Sequence, residues 1–207
     1  MDEKSLIRIV AHLMGDGYIN NRYLRYNNHS RFLIKRFKND LENCFGNLHF
    51  VEGKVNSGTP FVQFQKKRII CFLNELSKSY KSGDIEIPNF VNTLEKKIIF
   101  IKTLFDDEGS VGLRTFQKTG EIKRDVHIAL KSRKMIKSLK MFLENMLEIK
   151  TNRIKKDVKI RNNKIYTTWI LTITGKENIE NFREKIGFSH PLKRLKLDRL
   201  LGSYIVK

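Results

Sequence analysis

The chain has 207 residues, of which 41 are Lys or Arg and 22 are Asp or Glu, so its formal net charge at pH 7 is +19. Hydrophobic residues make up 40% and Gly and Pro are few, which excludes a largely disordered chain. So large a positive charge favours an anionic polymer as partner, and nucleic acid fits better than a membrane surface because the charge is spread along the whole chain.

A membrane span and a secretory signal are not expected. The most apolar run, "KKIIFIKTLF", is interrupted by lysines, and the N-terminal "MDEKSLIRIV" begins with acids. We therefore expect an intracellular protein, in the cytoplasm or in an organelle of a eukaryotic host. The only cysteines, Cys44 and Cys71, are too few for a zinc site and are expected in the core, and no histidines have metal-ligand spacing.

The first half of the chain predicts, in order, a helix, a hairpin, a helix, a second hairpin and a helix. Its first helix ends in "LMGDGYI", where Gly17 is expected to take the left-handed conformation that terminates helices. On a later strand, Gln63 and Gln65 alternate with Val62 and Phe64. Residues 84–92, in "SGDIEIPNFV", have the Gly and Pro of a linker, so the halves are predicted at residues 1–83 and 93–207.

The second half repeats this order and adds a terminal helix in "SHPLKRLKLDRLLGSY". Its first helix ends in "LFDDEGSV", where Gly109 occupies the place of Gly17. A longer hairpin follows, with its turn near residues 119 and 120. One face of its second strand carries Val126, Ile128 and Leu130, and the other carries Asp125, His127 and Ala129.

The two halves are related by an internal duplication. Residues 30–43, "SRFLIKRFKNDLEN", and residues 132–145, "SRKMIKSLKMFLEN", are identical at eight of fourteen positions. Both have apolar residues at helical spacing, and Ser30 and Ser132 are placed to cap the two helices. Eight matches exceed what two unrelated amphipathic helices are expected to share, so we interpret them as a repeat.

The repeat suggests why two acids occupy positions that are electrostatically unfavourable. Asp16 and Glu108 are expected at helix C-termini, where the helix dipole disfavours a carboxylate by about 0.3 to 1 kcal/mol. Duplicated halves pack most simply about a pseudo-twofold axis, which would bring equivalent residues together. Two adjacent carboxylates in a basic protein favour a divalent cation, and Mg²⁺ accepts one or two carboxylates with water and phosphate.

The motif copies "IVAHLMGDG" (residues 9–17) and "IKTLFDDEG" (residues 101–109) resemble those of the LAGLIDADG homing endonucleases, specifically the single-chain type with two copies. The stretches "IEIPNFV" and "IGFSHPLKRLKL" are also similar to that family. The first copy departs from the family pattern at His12 and Met14, although Asp16 is kept.

The resemblance implies an α+β fold of two pseudo-symmetric αββαββα repeats, with two antiparallel sheets forming a saddle over DNA and the motif helices packed at the centre. It also implies cleavage of both DNA strands with short 3′ overhangs, in a long and weakly symmetric target. The metal-binding set is Asp16 and Glu108 with the preceding residues Gly15 and Asp107. Mg²⁺ is the expected ion, and Mn²⁺ or Ca²⁺ would also fit.

The family further places a basic or amide side chain just before the shared helix, which implies Lys131 as a catalytic residue and Asn28 or His29 as its counterpart. DNA contacts are expected from polar strand faces and from the basic stretch of residues 150–164, because Lys and Arg bind phosphate and Gln pairs with adenine. The full predicted DNA-binding set is Arg22, Arg25, Asn28, His29, Gln63, Gln65, Arg114, Lys123, Arg124, His127, Arg153, Lys155, Lys159 and Arg161.

We expect a monomeric, intron-encoded endonuclease that binds double-stranded DNA. The alternative is a non-catalytic nucleic-acid-binding protein of the same fold, either an intron maturase or a transcriptional regulator. A histidine-metal nuclease of another fold lacks clustered histidines to support it. An intein is not expected, because the C-terminal "GSYIVK" lacks the His-Asn ending of a splicing junction.

Overall fold

Both halves of the sequence form their helices and hairpins in the predicted order, as seen in a computed structural model. The structure describes residues 1–117 and 120–204, apart from the side chain of Arg161. The chain divides into two compact units, Met1–Asp107 and Glu108–Lys207. Within the described residues, no helix combines the length and the apolar character needed to cross a lipid bilayer.

The first unit contains four helices and four strands among its described residues. They are α1 (Glu3–Met14), β1 (Gly17–Ile19), β2 (Leu24–Asn27), α2 (Arg31–Phe45), β3 (Val51–Lys54), β4 (Pro60–Phe64), α3 (Lys67–Glu75) and α4 (Leu94–Glu108), of which only the last residue belongs to the second unit. The strands form an antiparallel sheet in the order β1-β2-β4-β3, which we call the first sheet.

Helices α1 and α2 pack on one face of the first sheet. Because side chains alternate along a strand, Leu24 and Tyr26 of β2 point to this face together with Val62 and Phe64 of β4, and all four are buried. On α2 the predicted apolar stripe Leu33, Phe37 and Leu41 is at most 1% exposed. Each such side chain contributes about 1.5 to 3 kcal/mol of burial free energy.

A buried ion pair fixes α1 against α2. The guanidinium of Arg8 donates to the Asp40 carboxylate, with 2.9 Å between Nε and Oδ2, and the Asp40 side chain is 3% exposed. The hydrogen bond to Asp40 raises the pKa of Arg8. This pair sets the position of the helix that leads into Asp16.

The second unit contains four strands and three helices among its described residues. They are β5 (Gly109–Thr115), β6 (Ile122–Leu130), α5 (Arg133–Leu147), β7 (Lys155–Arg161), β8 (Lys164–Ile173), α6 (Lys176–Lys185) and α7 (Pro191–Gly202). The strands form a second antiparallel sheet in the equivalent order β5-β6-β8-β7. Helix α5 packs on β6 and β8, and α7 packs on β5 and α6.

The capping prediction is confirmed in both repeats. The hydroxyl of Ser30 accepts from the backbone N–H of Leu33, and that of Ser132 accepts from the N–H of Met135. An N-cap of this kind is worth about 1 kcal/mol. Each serine therefore marks the point where the preceding strand, β2 or β6, ends and the shared helix begins.

Two minor predictions have different outcomes. The prediction that both cysteines lie in the core is wrong, because Cys71 is exposed and Cys44 is half-buried. Residues 84–92 form turns and irregular structure rather than a helix or strand, and their role as a linker between halves stays a prediction. The predicted turn residue Thr119 lies outside the described part of the chain.

Candidate functional site

The end of α1 presents Asp16 between two glycines. Helix α1 stops at Met14, Gly15 caps it through a bond from its N–H to the carbonyl of Ala11, and Asp16 follows half-buried. The prediction that Gly17 is left-handed is wrong, because Gly17 opens strand β1 in an extended conformation. Glycine is needed there for another reason, since an added Cβ would lie 2.4 Å from the Cα of Leu13.

Two asparagines at the end of β2 hold Asp16 in place. The backbone N–H of Asn27 donates to the Asp16 carbonyl oxygen at 3.2 Å. The side-chain amide of Asn28 donates to Asp16 Oδ2 at 2.8 Å. Asp16 is thus fixed through both its backbone and its carboxylate, as a metal ligand or a positioned charge needs to be.

The orientation of the Asn28 amide follows from its other contacts. Its Oδ1 accepts from the backbone N–H of Ser30 at 2.8 Å, which leaves the NH₂ group to face Asp16 and the hydroxyl of Tyr26, 3.1 Å away. The alternative, His29, is exposed and contacts Thr59. Of the two predicted residues, the structure therefore brings only Asn28 to Asp16, and the bonds to Asp16 and Tyr26 use both of its amide hydrogens.

Asp107 is buried within the first unit and is engaged by two side chains from the first repeat. Its carboxylate accepts from the Tyr26 hydroxyl at 2.6 Å and lies 3.0 Å from His12 Nδ1, and neither Asp107 nor His12 has side-chain exposure. Burial, followed by the charge of Asp107, raises the pKa of Tyr26 far above its usual value, so the hydroxyl stays protonated and donates. The carboxylate of Asp107 thus has its partners within the first unit.

Gly15 is in contact with this buried carboxylate. A Cβ added to Gly15 would lie 2.6 Å from Asp107 Oδ2. Its neighbour Asp106 is also buried and lies 3.6 Å from Arg36 Nη1. Gly15 and Asp107, predicted as accessory metal residues, are therefore packed against each other, and their role as metal ligands stays a prediction.

In the second repeat, Glu108 occupies the position of Asp16, and Lys131, directly before Ser132, occupies the position of His29. Glu108 is the last residue of α4 and is half-buried. Lys131 directly follows β6 and is exposed, so its ammonium group is in a position to contact a ligand of that unit. Its catalytic role stays a prediction.

Arg25 and Gln63 form the centre of the polar face of the first sheet. They are directly opposite each other on β2 and β4, and Gln63 Oε1 accepts from the Arg25 guanidinium at 2.6 and 3.0 Å. The guanidinium lies over the rings of Phe61 and Tyr23, with 4.3 and 5.3 Å to their centroids. Gln63 is consequently only 8% exposed, so it would have to leave Arg25 before reading a base through both amide atoms.

The polar face of the second sheet carries basic residues around Asp125. Ser110 and His127 are paired across β5 and β6, as are Arg114 and Lys123, which places these side chains on the face of Asp125. His127 Nδ1 lies 2.7 Å from Asp125 Oδ1 and Lys123 Nζ lies 3.4 Å from Oδ2. Burial alone would raise the pKa of Asp125, but these two partners lower it, so the carboxylate stays ionised.

Arg124 is separated from this face by the alternation of β6. Its guanidinium donates to the hydroxyl and the carbonyl oxygen of Ser203 and lies 4.5 Å from the ring centroid of Tyr204. The expectation that Arg124 shares a surface with Arg114 and Lys123 is therefore corrected. Its charge fastens the end of α7 to the sheet.

Strand β7 continues the polar face with alternate lysines. Lys155 and Lys159 pair with Ile170 and Tyr166 on this face and are exposed, whereas Lys156 lies on the opposite face near Trp169. The remaining predicted DNA-binding residues with a described side chain are also exposed, and they are Arg22, Gln65 and Arg153. The side chain of Arg161 lies outside the described part.

The donor set is suited to a hard cation held mainly by non-protein ligands. Among the described residues, no group of three or more His, Cys, Asp or Glu side chains is arranged to hold a metal. Asp16 supplies carboxylate oxygen at a partly exposed position, which suits an ion such as Mg²⁺ that keeps several waters and binds phosphate.

Sequence reasoning did not identify His12 and Tyr26 as site residues. The only sequence signal was His12, which stands where the second motif copy has Leu104. A polar residue at a core position of a motif helix requires a buried partner, and that partner is Asp107.

A protein-family model described as "LAGLIDADG-like domain" matches residues 95–187. The matched part includes the second motif copy and Lys131. Among solved structures, I-DmoI in complex with DNA and Ca has a TM-score of 0.58 and 13% identity, covering 96% of this chain and 100% of that one. The N-terminal LAGLIDADG domain of DUF199/WhiA has a TM-score of 0.55 and 16% identity, covering 97% and 88%. The chain therefore has the α+β LAGLIDADG fold.

Curated relatives match nearly the whole chain over a small part of their own length. The replication factor C small subunit of Methanocaldococcus jannaschii is 23% identical over 197 residues, covering 94% of this chain and 10% of that protein. Glutamine--fructose-6-phosphate aminotransferase of the same organism is 24% identical over 206 residues, covering 95% and 17%. The chain thus spans less than a fifth of either relative, and the two relatives' names describe unrelated activities.

Proposed function

We propose that the chain is a site-specific DNA endonuclease that makes a Mg²⁺-dependent double-strand break, with Asp16 and Glu108 as metal ligands. The observation that carries the proposal is the immobilised carboxylate of Asp16, held at 2.8 Å by Asn28 directly after the first motif helix. Glu108 occupies the equivalent motif position in the part that matches the LAGLIDADG-like domain. The net charge of +19 supports a polyanionic substrate.

The proposed chemistry does not require a covalent nucleophile. When bound, Mg²⁺ would polarise the scissile phosphate and lower the pKa of a water molecule that attacks it. Asp16 and Glu108 would each serve as a metal ligand, Asn28 would keep Asp16 in its rotamer, and Lys131 would stabilise negative charge on the phosphate. Gly15 and Asp107, which directly precede the two acids, belong to the same proposed metal-binding set. Their backbone carbonyl oxygens are the donors that both can offer, because Gly15 has no side chain and the carboxylate of Asp107 is engaged by His12 and Tyr26.

DNA binding is assigned to the polar faces of the two sheets. The basic side chains on these faces would contact phosphates, which gives steeply salt-dependent affinity. On the strands the set consists of Arg25, Arg114, Lys123, His127, Lys155 and Lys159. Arg22 and Arg153 in adjoining loops complete it, with Gln65 as a base-reading residue. The comparison structure of I-DmoI is described as a complex with DNA, and this supports the same substrate here.

The proposal extends to the DNA target, the cleavage product, the oligomeric state and the genetic origin of the enzyme. We infer a long, weakly symmetric target, cleavage that leaves short 3′ overhangs, a monomeric enzyme and an origin within an intron. These features follow from the resemblance of the two motif copies to the single-chain homing endonucleases. Selection of cleaved sequences from a random DNA library would reveal the target and the overhang together.

The decisive experiment compares Asp16→Asn and Glu108→Gln with the wild type on a selected target. Both variants should bind the DNA in Ca²⁺ with unchanged affinity but cut it in Mg²⁺ at least a hundredfold more slowly. Glu95→Gln is the matched control, because Glu95 is exposed at the opposite end of α4 and pairs with Lys4. Cutting by both site variants at the wild-type rate would refute the assignment.

The second candidate is a non-catalytic nucleic-acid-binding protein, such as a maturase or a regulator. The buried His12–Asp107 pair favours it, because this part of the motif is committed to packing. Such a protein would bind selected DNA or RNA tightly, leave it uncut in Mg²⁺ and tolerate Asp16→Asn without loss of its function. Fluorescence anisotropy and a cleavage assay on the same nucleic acid separate the two candidates.

A further inference from the structure

A continuous chain of hydrogen bonds joins the buried interior of the first unit to Asp16. It runs from His12 Nδ1 to the Asp107 carboxylate, to the Tyr26 hydroxyl, to the Asn28 amide and to Asp16 Oδ2. The four distances are 3.0, 2.6, 3.1 and 2.8 Å, all within hydrogen-bonding range. Each side chain is therefore held by the one before it.

The interior end of this chain is rigid. His12, Tyr26 and Phe37 form a fully buried aromatic cluster, with ring centroids 4.9 Å apart for His12–Tyr26 and 4.8 Å for Tyr26–Phe37. The packed rings fix where the Tyr26 hydroxyl lies, and Asp107 fixes where its hydrogen points. The hydroxyl oxygen is thereby left as an acceptor toward Asn28.

The equivalent positions of the repeat cannot build a matching chain. The two motif copies and hairpins can be aligned residue by residue. The hydrogen-bonded residues His12, Asp107, Tyr26 and Asn28 then correspond, in this order, to Leu104, Gly15, Ile128 and Leu130. None of these four side chains can donate or accept a hydrogen bond. These four side chains therefore cannot hold Glu108 in the way that the chain of hydrogen bonds holds Asp16.

We propose that Tyr26 is a positioning residue for the metal site at Asp16, acting through Asn28 and anchored by the buried His12–Asp107 pair. The inference rests on the proposed role of Asp16 as a Mg²⁺ ligand. Loss of the hydroxyl removes one of the three hydrogen bonds that hold the Asn28 amide and leaves those to Ser30 and Asp16. The amide and the Asp16 carboxylate are then less ordered before the ion binds. Metal affinity should fall because the binding of the ion must now also order the ligand.

The test measures metal binding without requiring cleavage. Mn²⁺ is titrated into the ¹⁵N-labelled full chain, and paramagnetic broadening of the Asp16 backbone amide and the Asn28 side-chain amide is followed by NMR. Tyr26→Phe keeps the ring and removes one oxygen. It should raise the Mn²⁺ concentration for half-broadening by about threefold to tenfold, which corresponds to one lost hydrogen bond.

Tyr80→Phe is the matched control. The substitution also removes a tyrosine hydroxyl, here from a half-buried side chain that donates to the carbonyl oxygen of Leu73 at 2.6 Å, but this hydroxyl is not part of the hydrogen-bond chain to Asp16. This variant should lose stability and keep the wild-type half-broadening concentration within twofold. A purely structural role for Tyr26 would make the two variants behave alike.

The other possible results separate the positioning role of Tyr26 from the metal-binding role of Asp16. A folded Tyr26→Phe variant with wild-type Mn²⁺ affinity overturns the positioning role, provided that Asp16→Asn abolishes the broadening. If Asp16→Asn leaves the broadening unchanged, the metal assignment of the proposed function fails instead. If Tyr26→Phe does not fold, Asn28→Ala interrupts the chain outside the aromatic cluster, and an unchanged affinity in that variant overturns the inference equally.

Discussion

The carboxylate of Asp107 lies 3.0 Å from Nδ1 of His12, and neither side chain is exposed to solvent. The two residues are 95 positions apart and belong to different copies of the motif. The pair therefore ties α4 to α1 through a polar contact inside an apolar environment. Removing one member leaves buried polar groups without a hydrogen-bond partner, and this cost determines how much the pair contributes to stability.

Asp107→Ala should strongly destabilise the first unit. The substitution leaves the hydroxyl of Tyr26 and a nitrogen of His12 without their acceptor, at a cost of about 1 to 3 kcal/mol for each buried group. Urea denaturation followed by circular dichroism measures the loss. Asp157→Ala is the control, because Asp157 forms a surface pair with Lys159 and its removal should change stability by at most about 1 kcal/mol. Equal losses in the two variants would contradict a structural role for the buried pair.

Three glycines should respond to alanine in a fixed order. Gly17→Ala should destabilise most, because its Cβ would meet the backbone of Leu13 at 2.4 Å. Gly15→Ala should follow, at about 1 to 3 kcal/mol, because the Asp107 carboxylate has to shift from 2.6 Å. Gly83→Ala is the control, since nothing lies within 4 Å of the added carbon. Thermal midpoints compare the three, and a Gly15 variant as stable as the Gly83 variant would contradict the close packing of Gly15 on Asp107.

Stability at alkaline pH should depend on Tyr26. Burial raises the pKa of its hydroxyl above the ordinary value of 10.0, so the folded state keeps the proton longer than the unfolded state does. The contribution of the Tyr26 hydroxyl to the free energy of unfolding is therefore fully present below pH 10 and is lost as the pH rises above 10. Tyr26→Phe should therefore lose less stability than the wild type between pH 9 and pH 11, as measured by urea midpoints. Tyr18→Phe, at an exposed position, should follow the wild-type curve.

Lysines on the polar face of β7 should govern the salt dependence of DNA binding. Replacing both Lys155 and Lys159 by Ala should lower the slope of log affinity against log salt by about 1.8, at about 0.9 for each lost phosphate contact. Lys134→Ala with Lys137→Ala removes two exposed charges from α5 and is the matched control. Anisotropy titrations at several salt concentrations provide the slopes. Identical slopes for the two double variants would show that β7 does not contact the backbone of DNA.

Local sequence signals were sufficient to predict the order of helices and hairpins, whereas the arrangement of the strands into two sheets was implied by the family resemblance. The paired helices begin at Ser30 and Ser132 because a capping hydroxyl and helical apolar spacing act within a few residues. Gly17 was placed correctly but explained wrongly, since glycine serves both left-handed turns and close backbone contacts. The two uses look the same in a sequence.

The site was less predictable because its contacts join distant parts of the chain. Tyr26 reads as an ordinary core aromatic until the Asp107 carboxylate is placed beside it. Gln63 reads as an exposed strand residue until Arg25 covers it from the neighbouring strand. Periodicity indicates which face a side chain occupies, but not which partner from another element meets it there.

The unequal length of the leading hairpins has a consequence for the symmetry of the target. Strands β1 and β2 have three and four residues, whereas β5 and β6 have seven and nine. At about 3.3 Å per residue and about 3.4 Å per nucleotide step, the longer strand of each hairpin runs along about four steps in the first unit and about nine in the second. Under the proposed function, the two units would therefore contact DNA over unequal lengths. A palindrome built from the bases contacted by the first unit would lack the bases that the outer parts of β5 and β6 recognise.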